Sequence, residues 1–573
     1  MRVSPFVRVL SILCALCACG LNCLGLDREA FSIPNYDLNL QIDPSQHRLG
    51  VRGKITLRNN TASPKKIAVL QISSSLDWRS IKADDKAVQF VTQPYTSDVD
   101  HTGALSEAIV TLPQAIPTHG TIDLNIAYEG VITRDATRLS RIGSPEEIAK
   151  HTDWDAIDAS FTALRGAGFV AWYPIATEAA NLSQDTSLSD VLATWNRREA
   201  GSMMHLKISL QLADESNLQV FLNGASCNGV LAETGSRLLM ADCTPQPLRL
   251  DTPTLVIADY QVTETEAVEI RFLQGHQVAA NTYGEAVKAV APLIRDWFGP
   301  QHERAKVADL PDREDAPFEN IDLLLTSLSS SGSGELSAAH QLTHASFFSS
   351  RPWIEEGLAH FAQALAVEQQ NGRKAALDYM DAHRAGLIKL ELGMMPHSED
   401  EANRSLVNST SGELYRSKAM SVWWMLRDMI GDSALKKAIR SYRPEHDEEP
   451  SYISRLIAAQ SQRDLEWFFD DWVYRDRGLP DFKVESAYSR KTMTNAFLLT
   501  VTVDNLGAAG AEVPIVIKFA GGETSKRLEV RGKSKATIRI ETPAVPQEIT
   551  VNDGSVPESD TTNNTARVEV PQN

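Results

Sequence analysis

Basic residues are in short supply in this 573-residue chain: 56 Lys and Arg stand against 74 Asp and Glu, a formal net charge of −18. Phosphate binding needs clustered Lys and Arg, so a nucleic-acid partner is excluded, and the acidity reads as solubility. Cysteine is scarce too. Four of the six, Cys14, Cys17, Cys19 and Cys23, fall in the first 25 residues, leaving Cys227 and Cys243. Two cysteines do not by themselves suggest a structural zinc site. They flank a hairpin-like stretch, Asn228 to Asp242, and in an exported chain would form a disulfide; a pair of buried thiols is the alternative. Beyond the N-terminus no apolar run approaches the ~20 residues of a spanning helix, so no transmembrane span is expected. Long disordered tracts are missing as well. An apolar share of 43% and a charged share of 23% are those of a globular protein, and roughly 100–200 residues per domain predicts several domains.

The N-terminus reads as a targeting segment. Arg2 and Arg8 precede an apolar run from Val9 to about Leu26, a charged region followed by a hydrophobic one. Residues 1–25 are therefore expected to be a signal peptide outside the fold, and the mature chain to be periplasmic or extracellular. Leu16-Cys17-Ala18-Cys19 loosely matches a bacterial lipobox, which keeps a lipid anchor at Cys19 as an alternative.

One further absence concerns chemistry. In His340-Gln341-Leu342-Thr343-His344 two histidines four apart on a helix share a face and can reach one metal ion. Twelve residues on, Glu356 in Trp353-Ile354-Glu355-Glu356-Gly357-Leu358-Ala359-His360 offers a third ligand, leaving a fourth position for water. In the pattern H-E-x-x-H the residue after the first histidine is the general base. Here it is Gln341, an amide that takes up no proton near neutral pH. A histidine pair alone is common by chance on helices; the second helix at workable spacing is what turns it into a metal site. Glu355 follows a face about 100° away from Glu356, and Glu335 precedes the pair by one turn, so neither is an evident replacement base. His360, one turn past Glu356, reads as a supporting neighbour or a surface residue rather than a fourth ligand. Trp423 and Trp424 read as core.

Periodicity divides the chain. Residues 26–275 alternate with a period of two, as in Tyr36 to Ile42, Gly53 to Arg58, His205 to Leu212 and Val268 to Phe272, and predict an antiparallel β domain. Residues 276–480 are helically spaced from Tyr283 to about Trp472, with Phe298-Gly299-Pro300 ending the first helix. Residues 481–573 return to strands, Phe497 to Val503, Val513 to Phe519, Ala536 to Ile540 and Ile549 to Val551, in a length suited to an immunoglobulin-like β sandwich. The acidic stretch Val551 to Asn564 between those strands could offer oxygens to calcium, with a solvated loop as the plainer alternative.

The order of domains, with the histidine pair and the Trp353 to Ala359 helix, resembles the membrane-alanyl aminopeptidase family of gluzincin zinc metallopeptidases. The resemblance covers most of the mature chain. That family carries H-E-x-x-H, eighteen residues, then a zinc-binding glutamate in a W-x-x-E-G-F-A-like helix. The resemblance implies a multidomain α+β fold: an N-terminal β domain, a thermolysin-like, mostly helical catalytic domain and a C-terminal sandwich. It implies one zinc ion on His340, His344 and Glu356, and a peptide or protein substrate. Ala316-Pro317-Phe318-Glu319-Asn320 is similar to the family's G-x-M-E-N strand, so Glu319 and Asn320 would bind the substrate's free amine. Leu414-Tyr415-Arg416-Ser417-Lys418 is similar to the segment whose tyrosine steadies the oxyanion, a role that falls to Tyr415. Arg463 to Trp472 is similar to a closing helix of related bacterial proteins. The chain departs from the pattern at Gln341 and in the gap of eleven residues after His344. It departs again in the lost glycine and methionine before Glu319, and in the three-residue step from Tyr415 to Lys418. Two functions follow as expectations: a zinc aminopeptidase-like hydrolase in which Gln341 at most orients water, and an exported pseudopeptidase that binds peptides or acts as a scaffold.

Overall fold

A computed structural model describes residues 26–182, 188–212, 217–232, 237–301, 303–328, 334–393, 405–409 and 411–568. The expected signal peptide and Cys19 lie outside them. The chain folds as an α+β protein with an N-terminal β region, a helical region and a C-terminal β sandwich.

Strict alternation builds the first region. In Phe31–Asp43 the residues Tyr36, Leu38, Leu40 and Ile42 are buried while their neighbours face outward, the signature of a strand with one covered face. This strand is central to an eight-stranded sheet. It pairs antiparallel with Arg48–Asn59 but parallel with Met203–Gln211, so the sheet is not wholly antiparallel as its pattern predicts. A parallel pair needs a long crossover, and the intervening 160 or so residues supply it. They hold a three-stranded sheet and helices at Thr137–Arg141, Glu146–Thr152 and Leu188–Glu199, which a period-two pattern does not foresee. Cys227 and Cys243 are joined in a disulfide beside the antiparallel pairing of Asn228–Leu231 with Leu238–Pro247.

Between the β region and the helices lies a further sheet, part of which the pattern conceals. Val268–Phe272, Ala305–Asp309 and Leu323–Thr326 run parallel, flanked by antiparallel edge strands Gln261–Glu264 and Phe318–Asn320. Val268–Phe272 alternates and is the strand its pattern predicts, whereas Ala305–Asp309 and Leu323–Thr326 are short, almost fully buried and carry no alternation to reveal them. Four helices then carry the site: α1 (Gln277–Phe298), α2 (Glu335–Ser346), α3 (Pro352–Asn371) and α4 (Met420–Ile430). Gly299 ends α1 at φ 96°, as the Phe298-Gly299-Pro300 stop predicts. A π-helical turn, Tyr415–Ala419, leads into α4; such turns recur at functional sites. Trp423 and Trp424 are fully buried.

The C-terminal region is a sandwich of a three-stranded and a four-stranded sheet. Its core is continuous with that of the helices, and a clasp fixes the junction. Trp472 Nε1 donates to the Gly510 carbonyl at 2.7 Å, and the Gly510 amide donates to Asp471 at 2.8 Å. In the stretch from Val551 to Asn564 the carboxylate of Glu558 accepts amide hydrogens from Asn552 and Asn564 and the backbone N–H of Phe482. That carboxyl is engaged by the chain's own donors and is not offered to an ion.

Candidate metal centre

Helix α2 turns His340 and His344 to one side, where their Nε2 atoms come within 3.2 Å of each other. Helix α3 brings Glu356 to the same point: its carboxylate oxygens lie 3.5 Å from His340 Nε2 and 3.5 Å from His344 Nε2. The three expected ligands therefore converge. The shortened gap costs only connecting chain, because residues 347–351 join the helices directly and Glu356 stays on the first turns of α3.

Local sequence explains why α3 holds that position. Pro352 occupies its first turn, where a missing N–H does no harm. Just before it, Arg351 Nε donates to Asp447 at 2.9 Å. Trp353 stacks on Trp423 with 5.6 Å between ring centres and 11° between planes. Gly357 lets the helices close. A Cβ there would meet Ala419 Cβ at 2.8 Å and Trp423 Nε1 at 2.8 Å.

The residues around the ligands are less like a hydrolase site than the ligands are. Gln341 is buried. Its side-chain oxygen accepts from the Tyr283 hydroxyl of α1 at 2.6 Å, and its amide favours the ionised form of the Glu319 carboxyl. The amide thus acts on both α1 and the edge strand Phe318–Asn320. Burial pushes the Glu319 carboxyl up to about 7, with Glu356 and Glu355 adding to the rise and His344 and Gln341 opposing it. Its Oε1 is buried without a partner. Asn320 is not gathered to the histidines; its amide donates to Thr252 O at 2.8 Å and Thr254 Oγ1 at 3.1 Å, tying the strand to the N-terminal region. Tyr415 is buried, feels the charge of Glu356 and gives its hydroxyl hydrogen to the Ser409 carbonyl.

The other carboxylates have settled places. Glu355 lies 3.5 Å from His344 Nδ1, where it holds the ring from behind in the way carboxylates orient metal-bound imidazoles. Glu335 bonds the Gln370 amide at the outer end of the helix pair. Burial, with His344 and His360 close by, drives His340 well below the ordinary imidazole range, so it stays neutral. Burial works the same way on His344, but Glu356, Glu355 and Glu319 outweigh it and raise that ring to about 10. Without an ion the acidic cluster therefore holds a proton on His344.

The donor set fits zinc. Two imidazole nitrogens and one carboxylate converge from two helices, and the nitrogens face each other where only a shared proton or an ion can sit between them. One ligand atom from each of His340, Glu356 and His360 also lies within 4.8 Å of the others. His360 is buried beside the cluster, so of its two expected places, a supporting neighbour or a surface residue, the second does not hold. Tyr283, Gln363 and Arg416 carry no local sequence signal, though each acts here. Arg416, exposed beside Tyr415, depresses both His340 and His360.

Comparison with known proteins adds the fold. No family model matches the chain, and no curated protein sequence does. Among solved structures it is similar to an M1 zinc metallopeptidase mutant from Deinococcus radiodurans bound to a Tyr-Ser-Ala substrate: 17% identity, TM-score 0.54, over 79% of this chain and 96% of that one. The M1 zinc metallopeptidase from Deinococcus radiodurans, at 17% identity and TM-score 0.53, covers the same shares. A mutant of a two-domain M1 zinc metallopeptidase bound to L-tryptophan, at 17% identity, gives 0.54. The chain thus has the multidomain fold of M1 zinc metallopeptidases.

Proposed function

We propose that this chain is a zinc-binding, aminopeptidase-like metallopeptidase that hydrolyses peptide bonds slowly. The observation that carries the reading is the convergence of His340 Nε2, His344 Nε2 and the Glu356 carboxylate on one point, on a fold shared with zinc metallopeptidases. When bound, zinc would supply Lewis acidity, polarising a carbonyl and acidifying water toward a pKa of ~7. His340, His344 and Glu356 hold the ion, and Glu355 orients His344. Glu319, on the edge strand and acting electrostatically on the same cluster, binds the amine of a peptide. The Tyr283 hydroxyl holds the Gln341 amide, which has no proton to exchange. Positioned acid–base help is typically worth ~10²–10⁴ in rate, ~3–5 kcal/mol of barrier, and this is the shortfall expected here. Tyr415 can serve an oxyanion only by releasing the Ser409 carbonyl.

A second reading is supported by that same amide. The Gln341 oxygen is engaged by Tyr283 and its amide acts on Glu319, which suits an exported pseudopeptidase that keeps the ion and binds peptides without cutting them. Export is supported by the Cys227–Cys243 disulfide. Among the described residues no helix is long and apolar enough to cross a membrane. The deciding experiment is hydrolysis of fluorogenic aminoacyl and short-peptide substrates by the zinc-loaded chain, with and without chelator. Chelator-sensitive turnover supports the hydrolase; turnover no higher than in the chelated control supports the pseudopeptidase.

A further inference from the structure

The face of α3 that carries Glu356 carries a second donor one turn on. His360 lies four residues later, buried, with its ring centre 4.7 Å from that of His340 and its Nε2 4.0 Å from Glu356 Oε2. The far nitrogen decides what Nε2 can do. Gln363 Nε2 donates to the Leu336 carbonyl at 3.0 Å. A carbonyl only accepts, so the Gln363 amide has one orientation and its oxygen faces the other way. That oxygen accepts from the Tyr379 hydroxyl at 3.1 Å and meets His360 Nδ1 at 2.8 Å. Nδ1 must therefore carry the hydrogen, and the neutral ring presents its Nε2 lone pair toward Glu356 and His340. Metal-binding imidazoles are held from behind in this way. Gln363 does for His360 what Glu355 does for His344.

We propose that His360 is a fourth protein ligand, so that the ion held by His340, His344 and Glu356 has its last position filled by the chain instead of by water. The proposal rests on the metal-binding part of the function proposed above and sharpens it. Four protein ligands mark closed, structural zinc sites, whereas catalytic sites keep a position open. A closed set would favour tight retention of the ion and slow hydrolysis further than Gln341 alone.

The test uses the full chain loaded with cobalt(II) in place of zinc, read by visible absorption, and competition with a chromophoric chelator for zinc affinity. The wild-type cobalt spectrum is expected to be that of a four-coordinate ion and to stay unchanged on adding azide. His360→Ala is expected to bind zinc more weakly by more than the ~10–100-fold that loss of an outer hydrogen-bond partner causes, and its cobalt spectrum to shift with azide. Azide shifting the wild-type spectrum, a measurement that needs no variant, would overturn the proposal. So would an unchanged affinity in His360→Ala. A wild-type chain that takes up no stoichiometric zinc or cobalt would overturn the metal-binding reading itself, a different result from failure of His360 alone.

Discussion

Replacing Gln341 by glutamate tests both the chemistry and the hydrogen-bond network around it. If only the base is missing, Gln341→Glu should restore ~10²–10⁴ in kcat. The structure sets a cost against that gain. Tyr283 can still donate to the new carboxylate, since its hydroxyl already meets the side-chain oxygen at 2.6 Å. The N–H toward Glu319 is lost, however, and two carboxylates then meet in a buried space where Glu319 Oε1 already lacks a partner. Leaving such a group unsatisfied costs ~1–3 kcal/mol. Adding Glu319→Gln reverses the polarity of the link and satisfies it again, because the amide introduced on the edge strand would donate where Gln341 now does. Urea unfolding of the four metal-free proteins (the parent, each single variant and the double) should therefore put Gln341→Glu ~1–3 kcal/mol below the parent. The double variant should return to within ~0.5 kcal/mol, a coupling of the size expected for residues in one network. Measured well above pH 7, where the Glu319 carboxyl, raised to about 7, holds little proton to share with the new carboxylate, a Gln341→Glu protein as stable as the parent would refute the amide link. Activity is read on the same proteins loaded with zinc. A rise of ~10²-fold or more in Gln341→Glu means an otherwise complete site; no rise at full zinc content means that Glu319 and Tyr415 do not serve a reaction.

Three further outcomes are expected. Gly357→Ala drives a methyl into Ala419 and the Trp423 ring, neither of which can swing away, and should cost ~1–3 kcal/mol by overpacking, seen as a lower urea midpoint with reduced zinc retention. Replacing Cys227 and Cys243 by serine opens a loop of separation 16 and should cost about 3 kcal/mol, while zinc content is unchanged. Burial pushes the Glu558 carboxyl from 4.5 up to about 7, so between those values the folded chain holds a proton that the unfolded chain has lost. Its contribution to stability is full below about pH 4.5, falls as pH rises and levels off above about 7, a span of roughly 3 kcal/mol at about 1.36 kcal/mol per pH unit. Glu558→Gln should remove that part of the slope in denaturation curves taken from about pH 4 to 8.

The large features were legible because they rest on periodicity and spacing. Alternation in Tyr36 to Ile42 marks a half-buried strand, and the step of four between His340 and His344 puts both rings on one face. What fails to show depends on partners distant in sequence. The parallel pairing of Phe31–Asp43 with Met203–Gln211 leaves no local mark, since a strand's pattern reports which face is covered but not who pairs with it. The short strands at 305–309 and 323–326 are buried on both faces and lose the alternation that would reveal them. The motif places Asn320 with Glu319, yet adjacent residues of a strand point to opposite faces, and its amide reaches Thr252 and Thr254 instead. His360 is visible one turn past Glu356, but which way its free lone pair points is decided by Leu336, through the orientation of Gln363.

The amide at position 341 is more than a glutamate with its charge removed. If it were only that, its N–H would face the ion and whatever occupies the fourth position, and one substitution would reverse it. Here its oxygen accepts from a hydroxyl on α1, and its amide favours the ionised form of Glu319 on the edge strand, so the residue serves the packing of α1 and the charge of its neighbour. A glutamate at 341 could keep the first of these and would oppose the second. The ligands obey a different constraint: His344 is backed by Glu355 and His360 by Gln363, and neither contact touches Gln341. Metal affinity and hydrolytic power are therefore physically separable in this chain. An ion can be held firmly by four side chains on α2 and α3 while the position that would abstract a proton serves the packing of α1 against the sheet edge.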